Sequence, residues 1–170
     1  MTAPTSWGAA IPSPLPEPLA GQEFHLEPLH PRHNIADHAA WMASIDHIHR
    51  SPGFAPGHRA PVDGNPVVGN PPDEWPQPMT AAANLVDLEM HHGEFQRGEA
   101  FAYSVIATGS GDVIGCVYLD PDPSGVAVGE LRSWVRADHA HLDVTVADAV
   151  SSWVREVWGI SLRCPGRDAA

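Results

Sequence analysis

From residue 101 onward the apolar residues change their period, and that change narrows the folds open to the chain. Upstream they recur at helical spacing; over residues 101–136 they alternate, the two-residue period of strands with one covered face. The last alternating stretch, residues 129–136 (Gly-Glu-Leu-Arg-Ser-Trp-Val-Arg), passes through residues 137–143 into an amphipathic helix with Leu142, Val146, Ala149, Val150, Trp153 and Val157 on one side. A strand that feeds a helix through a short loop aims unpaired amides and a partial positive charge at that loop, which makes a ready site for an anionic group. The loop here, Ala137-Asp138-His139-Ala140-His141-Leu142-Asp143, contains no glycine.

The elements before this junction follow from local signals. Alternation over residues 24–29 predicts a first, edge strand before Pro31. Asn34 is the expected cap of a helix whose stripe is Trp41, Ile45 and Ile48, and Ser51-Pro52-Gly53 ends it. Thr80 caps a second helix with Leu85, Leu88, His92 and Phe95 facing inward and Gly98 as its stop. Strands over 101–108 and 113–120 flank Gly109-Ser110-Gly111-Asp112 and read as an antiparallel hairpin; a third strand follows over 126–136. Gly159 ends the last helix, and residues 160–164 are expected to add one short strand.

Composition restricts the partners. A chain of 170 residues supports one core. Its prolines gather before residue 20 and between Pro52 and Pro78, so residues 1–22 are expected as a tail without regular structure, 23–165 as the domain, 51–79 as a long irregular loop inside it, and 166–170 as a second tail. Twenty-one acids against nine arginines and no lysine give a net charge of −12, which repels nucleic acid and excludes a Schiff-base lysine. No stretch is apolar enough to span a membrane, and the N-terminus does not read as a signal peptide. Two cysteines, Cys116 and Cys164, form no disulfide framework, so a cytoplasmic location is expected.

Strand, two helices, a three-strand meander and a helix entered from the last strand resemble the GNAT N-acyltransferase superfamily. The resemblance covers residues 24–164. It is carried by Trp75-Pro76-Gln77-Pro78-Met79-Thr80, by Asp112-Val113-Ile114-Gly115-Cys116-Val117-Tyr118 and by Arg132-Ser133-Trp134-Val135-Arg136. It implies an α+β fold: a mixed, mainly antiparallel sheet flanked by helices, split at the fourth strand, and here shortened at its C-terminal end. It further implies acetyl-coenzyme A as co-substrate, with the backbone of Trp134, Val135 and Arg136 pairing with the pantetheine arm. His139, Ala140, His141, Leu142 and Asp143 then stand at the pyrophosphate. Family members carry glycines in this loop, which let amides close on phosphate; here they are replaced, and the Asp143 carboxylate would repel the ligand unless it faces away.

The activity implied is acyl transfer, acetyl above all, to the amine of a small molecule or peptide by direct attack. The tyrosine that usually serves as general acid belongs to the shortened part, which leaves Glu130, or a histidine acting through water, as the candidate base, with Tyr118 and Cys116 on the neighbouring strand facing the same cleft. A partner copy completing the split sheet makes a homodimer an expectation. The alternative is a GNAT-fold binding or partner module without acetyl-coenzyme A turnover.

Single residues carry two readings. Val128, Glu130, Arg132, Trp134 and Arg136 share one strand face, either a solvated polar face or, through Arg132 or Arg136, a contact with an anionic part of the ligand. Eleven histidines fall mainly in close pairs, but His47/His49 and His91/His92 diverge on a helix and His139/His141 offer only two ligands, so no metal site is expected. Tryptophans at helical or strand positions read as core; Trp75, in a polar loop, reads as part of an acceptor side.

Overall fold

The computed structural model describes residues 6–55 and 75–168. Most of the 51–79 loop expected from the prolines therefore lies outside the described residues. Four strands, β1 (Phe24–Pro28), β2 (Phe101–Ala107), β3 (Val113–Pro121) and β4 (Gly129–Val135), form one antiparallel sheet in sequential order. The β2–β3 hairpin pairs Phe101 with Leu119 and Ser104 with Cys116; the β3–β4 pair sets Cys116 opposite Trp134 and Tyr118 opposite Arg132.

Alternation along the strands divides the core. One face carries Phe101, Tyr103, Val105, Val117, Leu119, Leu131 and Val135 into contact with Val146, Val150 and Trp153 of α5 (Asp143–Trp153). The other carries Cys116 and Trp134 against Ala40 and Trp41 of α2 (Asn34–Met42) and Ile48 of α3 (Ile45–His49). A longer helix, α4 (Ala81–Arg97), packs beside α2 and on β2. Its ends follow the sequence signals: the Thr80 hydroxyl accepts from the Ala83 amide at 3.1 Å, and Gly98 closes it at φ 69°. No helix among the described residues is long and apolar enough to cross a membrane.

Several expectations are corrected. The segment before β1 is not a free tail: α1 (Trp7–Ala10) places the Trp7 ring over Gly129, where a Cβ would collide with it, and Trp7, Ile11, Leu15 and Leu19 pack on the core. Asn34 does not cap a helix, because a 3-10 turn over Pro31–His33 precedes it and its side chain turns inward to the Ala81 carbonyl. The helix expected to carry Trp41, Ile45 and Ile48 breaks at Ala43 and Ser44. Leu88 is buried on α4, but Leu85, His92 and Phe95 are only half-buried, and Asn84 takes the innermost place. The third strand of the meander starts at Gly129 and not at 126, because the Asp122 carboxylate collects the amides of Ser124 and Ala127 into a tight loop.

After α5 a π turn (Val154–Trp158) ends at Gly159 in the left-handed region, and the chain returns beside β4. The short strand expected over 160–164 is a single parallel bridge: the Arg163 amide donates to the Gly129 carbonyl at 2.9 Å and the Leu131 amide to the Arg163 carbonyl at 2.8 Å.

Candidate functional site

Strand β4 organises the site, because its inner edge is paired with β3 while its outer edge is paired only at its start. Beyond Leu131 no strand among the described residues pairs with that outer edge. The strand leaves the sheet at Arg136, whose amide donates to the Ile114 carbonyl, and the next amide, Ala137, donates to the Ser44 hydroxyl at 2.9 Å. The break between α2 and α3 thus supplies the residue that fixes where β4 ends. Residues Ala137–Leu142 then form an irregular 3-10 segment leading into α5.

On the α2 side the strand presents an aromatic wall. The Trp134 indole N–H donates to the Tyr118 hydroxyl at 3.2 Å, and Trp75 lies 6.0 Å from Trp134, 5.8 Å from Trp41 and 5.7 Å from Phe54 between ring centroids. Trp75, read from sequence as part of a polar loop, is therefore packed among aromatic rings. The Arg132 guanidinium sits over the rings of Phe54 and Tyr118 at 5.2 and 5.4 Å, a cation held by π faces. Burial holds the Tyr118 hydroxyl well above its ordinary pKa and raises that of the Cys116 thiol, with the Asp37 carboxylate adding to both, so both groups keep their protons.

Glu130 sits on the same face at the far end of the strand. It is 2% exposed, accepts from Arg163 Nη2 at 2.8 Å and lies 3.5 Å from Arg132 Nε. Arg163 also reaches the Asp122 carboxylate at 3.1 Å. Burial works against that carboxylate, yet the Ala127 and Ser124 amides, the Ser124 hydroxyl and Arg163 hold it below the usual range. Glu130 is thus one member of a buried charge network, about 20 Å by strand rise from the helix junction.

The junction holds a second set of charges. Arg136 Nε donates to Asp138 Oδ1 at 2.6 Å, and the His139 ring lies 2.9 Å from the same oxygen; Arg136 first and His139 second bring the Asp138 pKa down to about 2. His139 and His141 stack at 6.1 Å. An open groove of about 600 Å³ runs between α2 and this junction, lined among others by Ala36, Ala40, Ser44, Asp112, Arg136 and Asp138. Asp143, the first residue of α5, accepts both Arg167 Nη1 and Nη2 at 2.8 Å.

Of the residues singled out from sequence, the structure joins Trp134 to Tyr118 by a hydrogen bond and lines up Trp134, Val135, Arg136 and 139–143 along one path from strand to helix. It sets Glu130 apart from that path. Arg163, Arg167 and Ser44 were missed; no spacing signal marks them, since each meets its partner only through the folded chain path.

No family model and no curated protein sequence matches the chain. Solved structures do match it in fold. The fold is that of the GNAT N-acetyltransferases. A GCN5-related N-acetyltransferase from Brucella melitensis superposes with a TM-score of 0.59 at 21% identity, over 88% of this chain and 59% of that one. The ribosomal-protein-S5-alanine acetyltransferase from Vibrio fischeri gives 0.57 at 10% identity, over 85% and 70%. A ribosomal L7/L12 alpha-N-protein acetyltransferase in complex with coenzyme A gives 0.56 at 13%, over 84% and 70%. The chain spans under two thirds of the Brucella protein's length and 70% of the other two.

Proposed function

We propose that the chain takes an acyl-coenzyme A, acetyl-coenzyme A first among them, along the outer edge of β4 and transfers its acyl group to the amine of a small molecule or peptide. The observation that supports this most is the edge itself: beyond Leu131 the outer side of β4 has no strand partner among the described residues, and the strand runs directly into the start of α5. Such an edge suits an amide-bearing ligand arm that pairs as a strand would, and a helix start suits a pyrophosphate.

Within Trp134, Val135 and Arg136, the Val135 backbone shares the outer edge with Ser133 and would hold the pantetheine amides, and His139, Ala140, His141, Leu142 and Asp143 would border the pyrophosphate, with Arg136 available to phosphate once it releases Asp138. An amine approaching from the α2 side passes the wall of Trp75, Trp134 and Tyr118. Its nitrogen attacks the thioester carbon, the carbon–sulfur bond breaks, and the thiolate takes a proton, for which the Tyr118 hydroxyl on that wall is the candidate donor. Glu130, the base expected from the sequence, is buried and held by two arginines, so the amine proton leaves to water. The net charge of −12 favours a cationic acceptor, and a cytoplasmic homodimer completes the proposal.

Calorimetry with acetyl-coenzyme A is the test, followed by thiol release with a panel of amines and peptide N-termini. Binding is expected at micromolar to submillimolar ligand. No heat at millimolar ligand would falsify the reading; heat without thiol release from any amine would leave a binding module.

A further inference from the structure

The 164–168 turn reaches, through the Arg167 side chain, the same half of β4 that the proposed co-substrate needs. They form a tight turn in which the Arg167 and Asp168 amides donate to the Cys164 carbonyl at 2.9 and 3.0 Å, and the Asp168 carboxylate accepts from the Cys164 amide at 2.8 Å. Gly166 has a φ of 74°, and a Cβ there would stand 3.1 Å from the Pro52 side chain, so the turn is wedged against the 51–53 segment. From it Arg167 reaches across: Nη1 and Nη2 each bond an Asp143 oxygen at 2.8 Å, and Nη2 approaches the Ser133 carbonyl at 3.4 Å.

One guanidinium therefore bridges the outer edge of β4 and the first residue of α5. Both side chains of the pair are largely buried, at 14% and 17% exposed, and the geometry is bidentate, the stronger form of ion pair. The Ser133 hydroxyl beside it is buried without a hydrogen-bond partner among the described residues. A ligand arm pairing with Ser133 and Val135 would have to run where Arg167 now lies.

Building on the proposed acyl-coenzyme A reading, we infer that the 164–168 turn is a latch that holds the co-substrate channel shut, and that Arg167 must leave Asp143 and Ser133 before the ligand pairs with β4. The apparent affinity is then the intrinsic affinity reduced by the fraction of chains with the latch open. The same pair neutralises the Asp143 carboxylate in the closed state.

The test uses the full chain and two variants, Arg167→Gln, which removes the ion pair, and Gly166→Val, which dislodges the turn sterically and leaves Arg167 in place. In calorimetry both are expected to bind acetyl-coenzyme A at least about fivefold tighter than the wild type. Amide exchange reports the same event: ligand slows exchange at residues 133–136 and speeds it at 164 and 166–168. Unchanged or weaker binding in both variants, or protection of 164 and 166–168 that rises with ligand, overturns the latch and makes Arg167 a phosphate ligand instead. If neither the wild type nor the variants bind, the acyl-coenzyme A reading fails on its own. Ligand-free exchange then judges the turn: faster exchange at 166–168 in Arg167→Gln supports a clasp, and unchanged exchange removes it.

Discussion

Toward α5 the sheet presents Val117, Leu119, Leu131 and Val135; toward α2 the interleaved positions are Cys116, Tyr118, Arg132 and Trp134. The first face is apolar apart from Ser133 and meets the apolar side of α5. The second buries polar groups and has to satisfy them: the Asn84 amide nitrogen donates to Asn34 Oδ1 and Asp37 Oδ2 at 2.9 and 3.0 Å, and Trp41 Nε1 donates to Asn84 Oδ1 at 3.1 Å. Adjacent residues of the same strands thus serve different ends. One face supplies cohesion that is indifferent to pH; the other accepts a costlier interior and gains hydrogen-bonding and ionisable groups beside the candidate site.

The largest loss of stability is expected on the apolar face. Leu119 is fully buried, and Leu119→Ala is expected to cost about 2–5 kcal/mol in urea unfolding, by the same amount at pH 5 and pH 8. The polar face is expected to respond to pH. Burial raises the Asp37 pKa from 3.8 to about 6, so between those values the folded chain holds a proton that the unfolded chain has lost. The contribution of this group is full below about pH 4 and falls by about 3 kcal/mol as pH rises past 6. Asp37→Asn keeps an acceptor for Asn84 and removes the titration, so its stability relative to wild type should climb over that window; a flat difference would show that Asp37 ionises freely. The smallest effect on folding is expected at the junction. Arg136→Gln removes a partly exposed ion pair and should shift stability by less than about 1 kcal/mol, while weakening acetyl-coenzyme A binding in the same calorimetric assay.

Much of the fold was legible because it is written locally. The period-two stretches at 101–108 and 113–120 became β2 and β3 to within one residue, and Thr80, Gly98 and Gly159 act at helix ends as expected. Illegible were the features that a distant contact decides. Proline spacing predicted an extended N-terminal tail, yet Trp7 donates its indole N–H to the Glu99 carbonyl and covers Gly129, and no pattern within residues 1–22 reports a glycine more than a hundred positions away. Asn34 has the chemistry of a cap and serves instead as a strut to α4. In the candidate site the shared face of Glu130, Arg132 and Trp134 was readable, but Arg163 on Glu130 and Arg167 on Asp143 were not.

By itself the sequence determined the order of elements, the two faces of β4 and the strand-to-helix junction, because side-chain periodicity depends on neighbours two to four residues away. Only the tertiary structure decided which charges meet. Arg167 finds Asp143 across 24 positions and Arg163 finds Glu130 across 33, through the return of the chain beside β4. Ion pairing depends on distance in space, and the path that sets this distance is settled by packing the whole core.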